Sequence, residues 1–344
     1  MRRMRREGVL AAVTGVAVAA MLWGDPAAPA AQPASPDRSA WHWYKGNTHA
    51  HTIESDGDST PEEVTRWYRE HGYQFLVLSD HNVLVNIEAL SGAFAVPEQF
   101  LLVPGEEVTD TFETKPLHIN GLNVTRLVEP RHGTSVRDTL QRNVDAIREA
   151  RGVPHVNHPN FGWAIAPADL AGLERYRLLE IFNGHPLVNN LGGGDRPGME
   201  AVWDGLLRAG RRVYGIAVDD AHYFKRPWDP VAPKPGRGWV VVRAPRLDPS
   251  ALVASLEAGD FYASTGIELD DYTADATGIS VRVRAAGQTR YRLTLIDATG
   301  EVQTTDGPEA HFTLTGRRGF ARVRIGDSNG AQAWTQPIFL DGRP

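Results

Sequence analysis

The residues best suited to chemistry are histidines and acids that follow short apolar runs. His49 and His51 sit one residue apart in "GNTHAHTIESDG", directly after the strand-like "WHWYK". Asp80 and His81 follow "FLVLS", Glu106 and Glu107 follow "LLVPG", and His118 lies in "LHINGL". His158 follows "VPHVN", and Asp220 and His222 follow "YGIAVD". In an extended segment, residues i and i+2 point to the same side. His49 and His51 can therefore offer two imidazoles to one ion, and Asp220 and His222 can do the same. Imidazole and carboxylate together suit zinc, manganese or iron. An acid from a middle strand, Glu106 or Glu107, is placed to bridge two ions. One His-x-His pair is a weak signal, and a lone His118 or His158 would ordinarily be a structural hydrogen-bonder. Five strand ends carrying His or acid in order are not explained by core packing.

The elements that must position these residues alternate. Strands are predicted at 41–46, 74–79, 100–104, 117–124, 153–157, 178–182, 213–218 and 239–243. Helices are predicted at 61–70, 135–151, 167–175, 198–209 and 249–258. "STPEE" has a capping residue at Thr60, Pro at the first helical position and acids in the first turn, a well-signalled helix start. The alternation implies α/β architecture with parallel strands and helical crossovers, as a barrel or an open sheet. In a parallel barrel the C-terminal strand ends share one face, where residues distant in sequence converge. From about Asp271 short alternating runs such as "GISVRVRA" and "YRLTLID" replace this pattern. They predict a small antiparallel β-sandwich-like module over 271–344.

The 344 residues carry a net charge of −6 and include 12 His and no Cys. Disulfides, zinc–thiolate sites and thiol nucleophiles are thereby excluded. No basic excess points to a nucleic-acid polymer or an anionic membrane as partner. "MRRMRRE", the apolar "GVLAAVTGVAVAAMLW" and an Ala-x-Ala site at Ala28–Ala30 form the three-part pattern of a secretory signal peptide over 1–30. A linker over 31–39 and a catalytic domain over 40–270 follow. The expected location is outside the cytoplasm, periplasmic or extracellular, with no stable membrane insertion after cleavage.

"THAHTIESDG", "SDHN", "PGEE", "LHINGL", "HPN" and "DDAH", in this order, resemble the motifs of the PHP (polymerase and histidinol phosphatase) metallohydrolases. The resemblance runs from about Gly46 to His222, and "SLEAGDFYASTG" extends it to about Gly266. The signal peptide, "VWDGLLRAGRRVYGIAVDDAH" and the β tail resemble the secreted branch named after carbaryl hydrolases (CehA/McbA-like). The fold this implies is a distorted (β/α)7 TIM-like barrel. The roles it implies are His49, His51 and Asp220 at a first metal, Glu107 bridging, and His118 and His158 at a second. Asp56, His81 and His222 would form a third site. The implied chemistry is hydrolysis by a water held by Glu107 and Asp220 and activated by two or three divalent ions (Zn, Mn or Fe).

The expected substrate is a small-molecule ester. The resemblance favours a phosphate ester, with a carbamate or carboxylic ester as the alternative. A non-catalytic metal-dependent binding protein is a third reading, which the complete ligand set disfavours. An amidohydrolase-type barrel shares His-x-His but needs a strand-end Lys, and Lys115 is the only one near such a position. "YFKRPWDPVAPKPGRG" carries Lys225 and Arg226, which in a lid would hold a phosphate. Asn82, Asn157, Asn160 and Asn183 lie beside ligand positions, where they would orient ligands, bind a substrate oxygen or satisfy turns. His155 reads as structural, and His185 as either site rim or turn.

Overall fold

The computed structural model describes Arg38 and residues 40–340. The expected signal peptide and nearly all of the linker lie outside the described residues. Among the described residues no helix is long and apolar enough to cross a membrane.

The first half of the chain alternates, in order, β1 (His42–Asn47), α1 (Pro61–Glu70), β2 (Phe75–Val77), α2 (Ile87–Phe94), β3 (Leu101–Val103), β4 (Gly105–Phe112), β5 (Lys115–Leu122), α3 (Val136–Glu149) and β6 (Val153–Val156). Then come α4 (Pro167–Ala171), β7 (Leu178–Asn183), α5 (Met199–Arg208), β8 (Tyr214–Val218), β9 (Trp239–Ala244), α6 (Pro249–Ala258) and β10 (Phe261–Ser264). The rest is β: β11 (Leu269–Ala274), β12 (Gly278–Val283), β13 (Tyr291–Asp297), β14 (Gly300–Asp306), β15 (Glu309–Thr313), β16 (Phe320–Asp327), β17 (Gln332–Thr335) and β18 (Ile338–Phe339). Helix α1 starts where its signals predict. Glu63 N donates to Thr60 Oγ1 and Thr60 N donates to Glu63 Oε2, a reciprocal cap behind Pro61.

The strands fall into three sheets. One has the order β4-β5-β6-β7-β8, antiparallel through β6 and parallel from β6 to β8. Its strands β6 and β8 are buried at every position, as strands covered on both faces must be. A ten-stranded sheet runs β14-β13-β16-β17-β10-β9-β1-β2-β3, with β18 on β16. The third is β11-β12-β15. The two larger sheets meet through single bridge pairs, Ala50 with Ala221 and His81 with Glu107. Both pairs lie in the histidine motifs.

The architecture is α/β, but the expected seven-stranded ring is not closed by continuous ladders among the described residues. The cause lies at Gly105. β3 stays on β2 in one sheet, and the next strand leaves to form a hairpin in the other. A Cβ at Gly105 would lie 2.3 Å from Val77 Cγ1 and 3.1 Å from Gly121 O, so only glycine lets the chain cross there. Glu106 and Glu107 are therefore inside a strand, not beyond the end of one.

The ladder also runs through the expected boundary near residue 270, because β17 pairs with β10. Ile279, Val281 and Phe312 of the small sheet share one core with Leu293, Leu295, Val323 and Ile325. The same core continues to Tyr68, Leu76 and Leu78 beside β1 and β2. Arg322 of β16 is fully buried and donates to Asp204 through Nε at 2.8 Å and to Glu200 through Nη2 at 2.7 Å. That ties the C-terminal strands to α5.

Candidate metal centre

The site is built where β1, β2, β6 and β8 hand over to their loops, with Glu107 and His118 supplied from within β4 and β5. Beyond β1, Asn47 Oδ1 accepts from His49 N at 2.9 Å while its amide reaches Gly238 O. His51 N donates to Ala221 O. These bonds fix the extended stretch so that both imidazoles face inward. Asp220 has φ 49°, a sparsely populated conformation for a non-glycine residue, and it turns the carboxylate toward the same point.

Four overlapping donor groups result, each with its donor atoms within 4.8 Å of one another. His49, His51 and Asp220 form the first. His49 Nε2 and His51 Nε2 are 3.1 Å apart, and each lies 3.3 or 3.2 Å from Asp220 Oδ1. His49, Glu107 and His158 form the second, with both imidazole Nε2 atoms 3.4 Å from Glu107 Oε1. His81, Glu107 and His118 form the third, at 2.8 and 3.0 Å from the two carboxylate oxygens. His51, His81 and His222 surround Asp56 at 3.5, 3.6 and 3.3 Å. Two ligands about 2.1 Å from a tetrahedral ion lie roughly 3.4 Å apart, so most of these spacings are those of a shared ion. Glu107 Oε2 and His118 Nδ1 are buried and make no hydrogen bond. They sit at bonding distance from histidine or carboxylate partners without the alignment of a hydrogen bond. The donor set and its unpaired buried atoms fit divalent cations.

The electrostatics agree. Burial opposes charge on Glu107, but His118, His49 and His81 outweigh it and hold the carboxylate well below its usual range. Burial also opposes charge on Asp220, and His49, His51 and His222 overcome it in the same way. Both groups are acceptors only. Burial and the neighbouring His222 pull His51 down to about 4. Burial lowers His81 too, but Glu107 and Asp56 prevail and push it up to about 10.

The two open alternatives separate by direction. Glu106 faces away from the histidines, as the neighbour of Glu107 in a strand must. It accepts from Val128 N at 2.7 Å, and burial pushes it up to about 7. Asp219 is buried against Tyr68 Oη, Arg237 N and Gly238 N and belongs to no donor group among the described residues.

A second layer holds the donors in place. His49 Nδ1 is 2.7 Å from Glu180 Oε1, and Glu180 Oε2 accepts from His158 N and Asn183 Nδ2. A carboxylate behind an imidazole fixes the tautomer and raises basicity. Sequence reasoning missed Glu180; a lone acid inside the apolar run "LLEIF" was the available signal, since an unpaired buried acid is rare. Asn183 also donates to Asp220, and Asn157 donates to Glu107 and Asn120. Asn82 clamps Thr109 through both its amide atoms, and Thr109 Oγ1 lies 2.6 Å from His81 Nδ1. Asp80 accepts from Thr52 and Ser55 and orders the loop after β1. His155 is buried beside Glu180 and pulled down to about 4 by burial.

The three residues read as substrate contacts are engaged elsewhere. Asn160 donates to Asn189 O and Pro197 O, which pins one loop to another. Lys225 is paired with Glu63 at 2.8 Å. The Arg226 guanidinium lies 4.4 Å from the centre of the Tyr223 ring. His185 is at the rim, its ring centre 5.5 Å from that of His222.

No family model matches the chain. It is 32% identical over 105 residues to the 5'-3' exoribonuclease Rnm of Salmonella typhimurium, covering 30% of this chain and 34% of that protein. It is 25% identical over 187 residues to a 5'-3' exoribonuclease of Haemophilus influenzae, covering 51% of this chain and 67% of that one. The chain thus spans about a third of the first relative's length. A two-domain protein from Bacteroides vulgatus, described as containing a predicted PHP-like metal-dependent phosphoesterase, superposes with a TM-score of 0.50 at 13% identity. That likeness covers 89% of this chain and 94% of the other, and it shows a shared α/β fold.

Proposed function

We propose that the chain is a metal-dependent hydrolase of small phosphate esters, built on a distorted PHP-type barrel of the secreted, carbaryl-hydrolase-like branch. The convergence of nine His, Asp and Glu residues into four overlapping donor groups carries this reading. Two or three divalent ions bound there would supply Lewis acidity and lower the pKa of water. The chain's own contribution is to present imidazoles, which give up their protons as ions bind, and two ionised carboxylates, Glu107 and Asp220, in a largely buried cup. These carboxylates hold the attacking water. Its oxygen bonds to phosphorus as the P–O bond to the alcohol breaks, and the departing alkoxide takes up the proton the water gives up. Glu180, Asn157 and Asn183 position ligands and touch no reacting atom in this scheme.

A carbamate or carboxylic ester is the second reading. It is favoured by the engagement of Lys225 with Glu63 and of Arg226 with Tyr223, which leaves neither poised as a phosphate clamp. The likeness to exoribonucleases adds RNA ends to the substrates worth testing. A net charge of −6 disfavours a long polyanion, and small esters remain our reading. The basic, apolar and Ala-x-Ala segments at the N-terminus support action outside the cytoplasm.

The test is turnover of p-nitrophenyl phosphate, bis-p-nitrophenyl phosphate, a 5'-phosphorylated RNA oligonucleotide and 1-naphthyl N-methylcarbamate by metal-loaded protein beside His49→Ala. Phosphate-ester turnover lost in the variant supports the first reading, and turnover of the carbamate alone the second. No turnover by a metal-loaded chain would contradict both and favour a binding protein.

A further inference from the structure

Seven large hydrophobic side chains are exposed among the described residues, and five of them sit on loops that carry or adjoin the metal donors. These are Ile53 after β1, Leu187 and Leu191 after β7, and Trp228 and Val231 after β8. Leu187 is 65% exposed and Leu191 93%. Large apolar side chains left exposed on the loops around a site are available to a ligand there. Closer in, the Phe161 ring centre lies 5.3 Å from that of His158, 6.4 Å from His118 and 6.0 Å from His185. Phe161 and His185 therefore stand side by side against three of the donor histidines, one of them His222. A ligand held at His118, His158 or His222 would lie beside them.

This wall is held in place. Phe161 N donates to His158 O, and Phe161 forms a bridge with Val188. Asn160 bonds Asn189 O and Pro197 O, and Asn189 returns a bond to Asn160 O. His185 N donates to Asn183 Oδ1, and His185 Nδ1 accepts from Leu187 N. The neutral ring then carries its hydrogen on Nε2. The wall is one apolar ring and one ring with a single donor, with exposed leucine beyond it. Small-molecule sites have this composition, mostly apolar with few placed polar groups.

We infer that Phe161 and His185 form the subsite for the non-reacting part of the substrate, and that this part is apolar or aromatic rather than charged or polyhydroxylated. Phe161 and His185 are the specificity-determining residues, and Leu187 extends the surface they offer. The inference rests on the hydrolase reading above, because it takes the donor cluster as the place where the ester reacts.

Binding of unreactive anions tests it without relying on leaving-group chemistry. Metal-loaded protein is titrated calorimetrically with methylphosphonate and benzylphosphonate, and in parallel with acetate and phenylacetate. The aromatic member of each pair should bind about tenfold tighter, the effect of covering roughly 55 Å² of apolar surface. Phe161→Ala should erase that preference, bringing the affinity ratio within each pair close to one. Phe161→Leu, which keeps apolar bulk, should retain part of it. Equal affinity within both pairs, or a preference that survives Phe161→Ala in a folded, metal-loaded variant, overturns the inference. Failure of both phosphonates to bind while the carboxylates bind counts against the phosphate-ester reading, and the acetate–phenylacetate pair then decides the subsite alone.

Discussion

Two of the clusters of buried charge in this protein do two different jobs. At the junction of β16 and α5, the buried guanidinium of Arg322 is met by Asp204 and Glu200 and stacks 4.6 Å from the Trp203 ring centre. Positive and negative charge both come from the chain itself and meet at hydrogen-bond distance, with only Arg322 Nη1 left without a hydrogen bond. Glu107 within β4 and Asp220 beyond β8 are surrounded by imidazoles, several of whose nitrogens point at common positions rather than at aligned partners. Glu107 Oε2 and His118 Nδ1 remain without hydrogen bonds. Burying such groups is costly unless something pairs with them. The first cluster is charge-paired within the chain, and the second has the geometry that an added cation would complete.

The largest expected effects break this contrast. Glu107→Gln removes the carboxylate common to two donor groups, so bound metal should fall by at least one ion per chain with loss of detectable turnover. Elemental analysis and activity on one sample would check it. At the charge-paired cluster, Arg322→Leu strands Asp204 and leaves Glu200 only Arg324 as a charged partner, 3.6 Å away. Urea denaturation should show a loss of about 3 kcal/mol with the metal content of the folded protein unchanged. If Arg322→Leu instead removed metal, the two clusters would not be independent.

The donor residues were readable because chemistry and position coincide in the sequence. His-x-His and Asp-x-His after strands place both side chains on one face, and the structure brings those pairs together. The hairpin that carries Glu107 was not readable. Phe112 pairs with Lys115 across a two-residue turn whose first residue, Glu113, has φ 56°. Such turns usually announce themselves with Asn or Gly, and here neither is present. Helix α2 has a cap, with Asn86 Oδ1 accepting from Glu88 N, but Gly92 and Ser91 weaken its pattern. The continuity of the C-terminal strands with β10 was hidden because register between distant strands leaves no local trace.

Finer effects sharpen the comparison. Glu180→Gln keeps the shape behind His49 but weakens the acceptor, and metal affinity should drop about 10- to 100-fold, read by competition with a chelator. The pH response of metal-free protein has a defined sign. His81 is raised to about 10 from 6.5. Its contribution is full below pH 6.5 and lost as pH rises toward 10. His51, lowered to about 4 from 6.5, contributes above pH 6.5 and loses that contribution as pH falls toward 4. The two contributions together are greatest near pH 6.5, and His81→Asn should flatten the alkaline side. Metal should reverse that side, because ligands must shed protons to bind. Thermal melts across pH with and without metal would show it. The smallest effect belongs to Lys225→Ala. Its exposed pair with Glu63 is of the kind that adds little, so the melting midpoint should not move measurably.

The most direct measurement is the number of ions each chain holds. Protein beginning near Gln32, stripped and then loaded with zinc, manganese or iron, would be passed through a desalting column and its metal counted against protein concentration, beside His49→Ala. Two or three ions per chain of at least one metal, with fewer in the variant, is the predicted result. Less than one ion per chain with every metal would contradict the claim that these histidines and carboxylates form a metal centre.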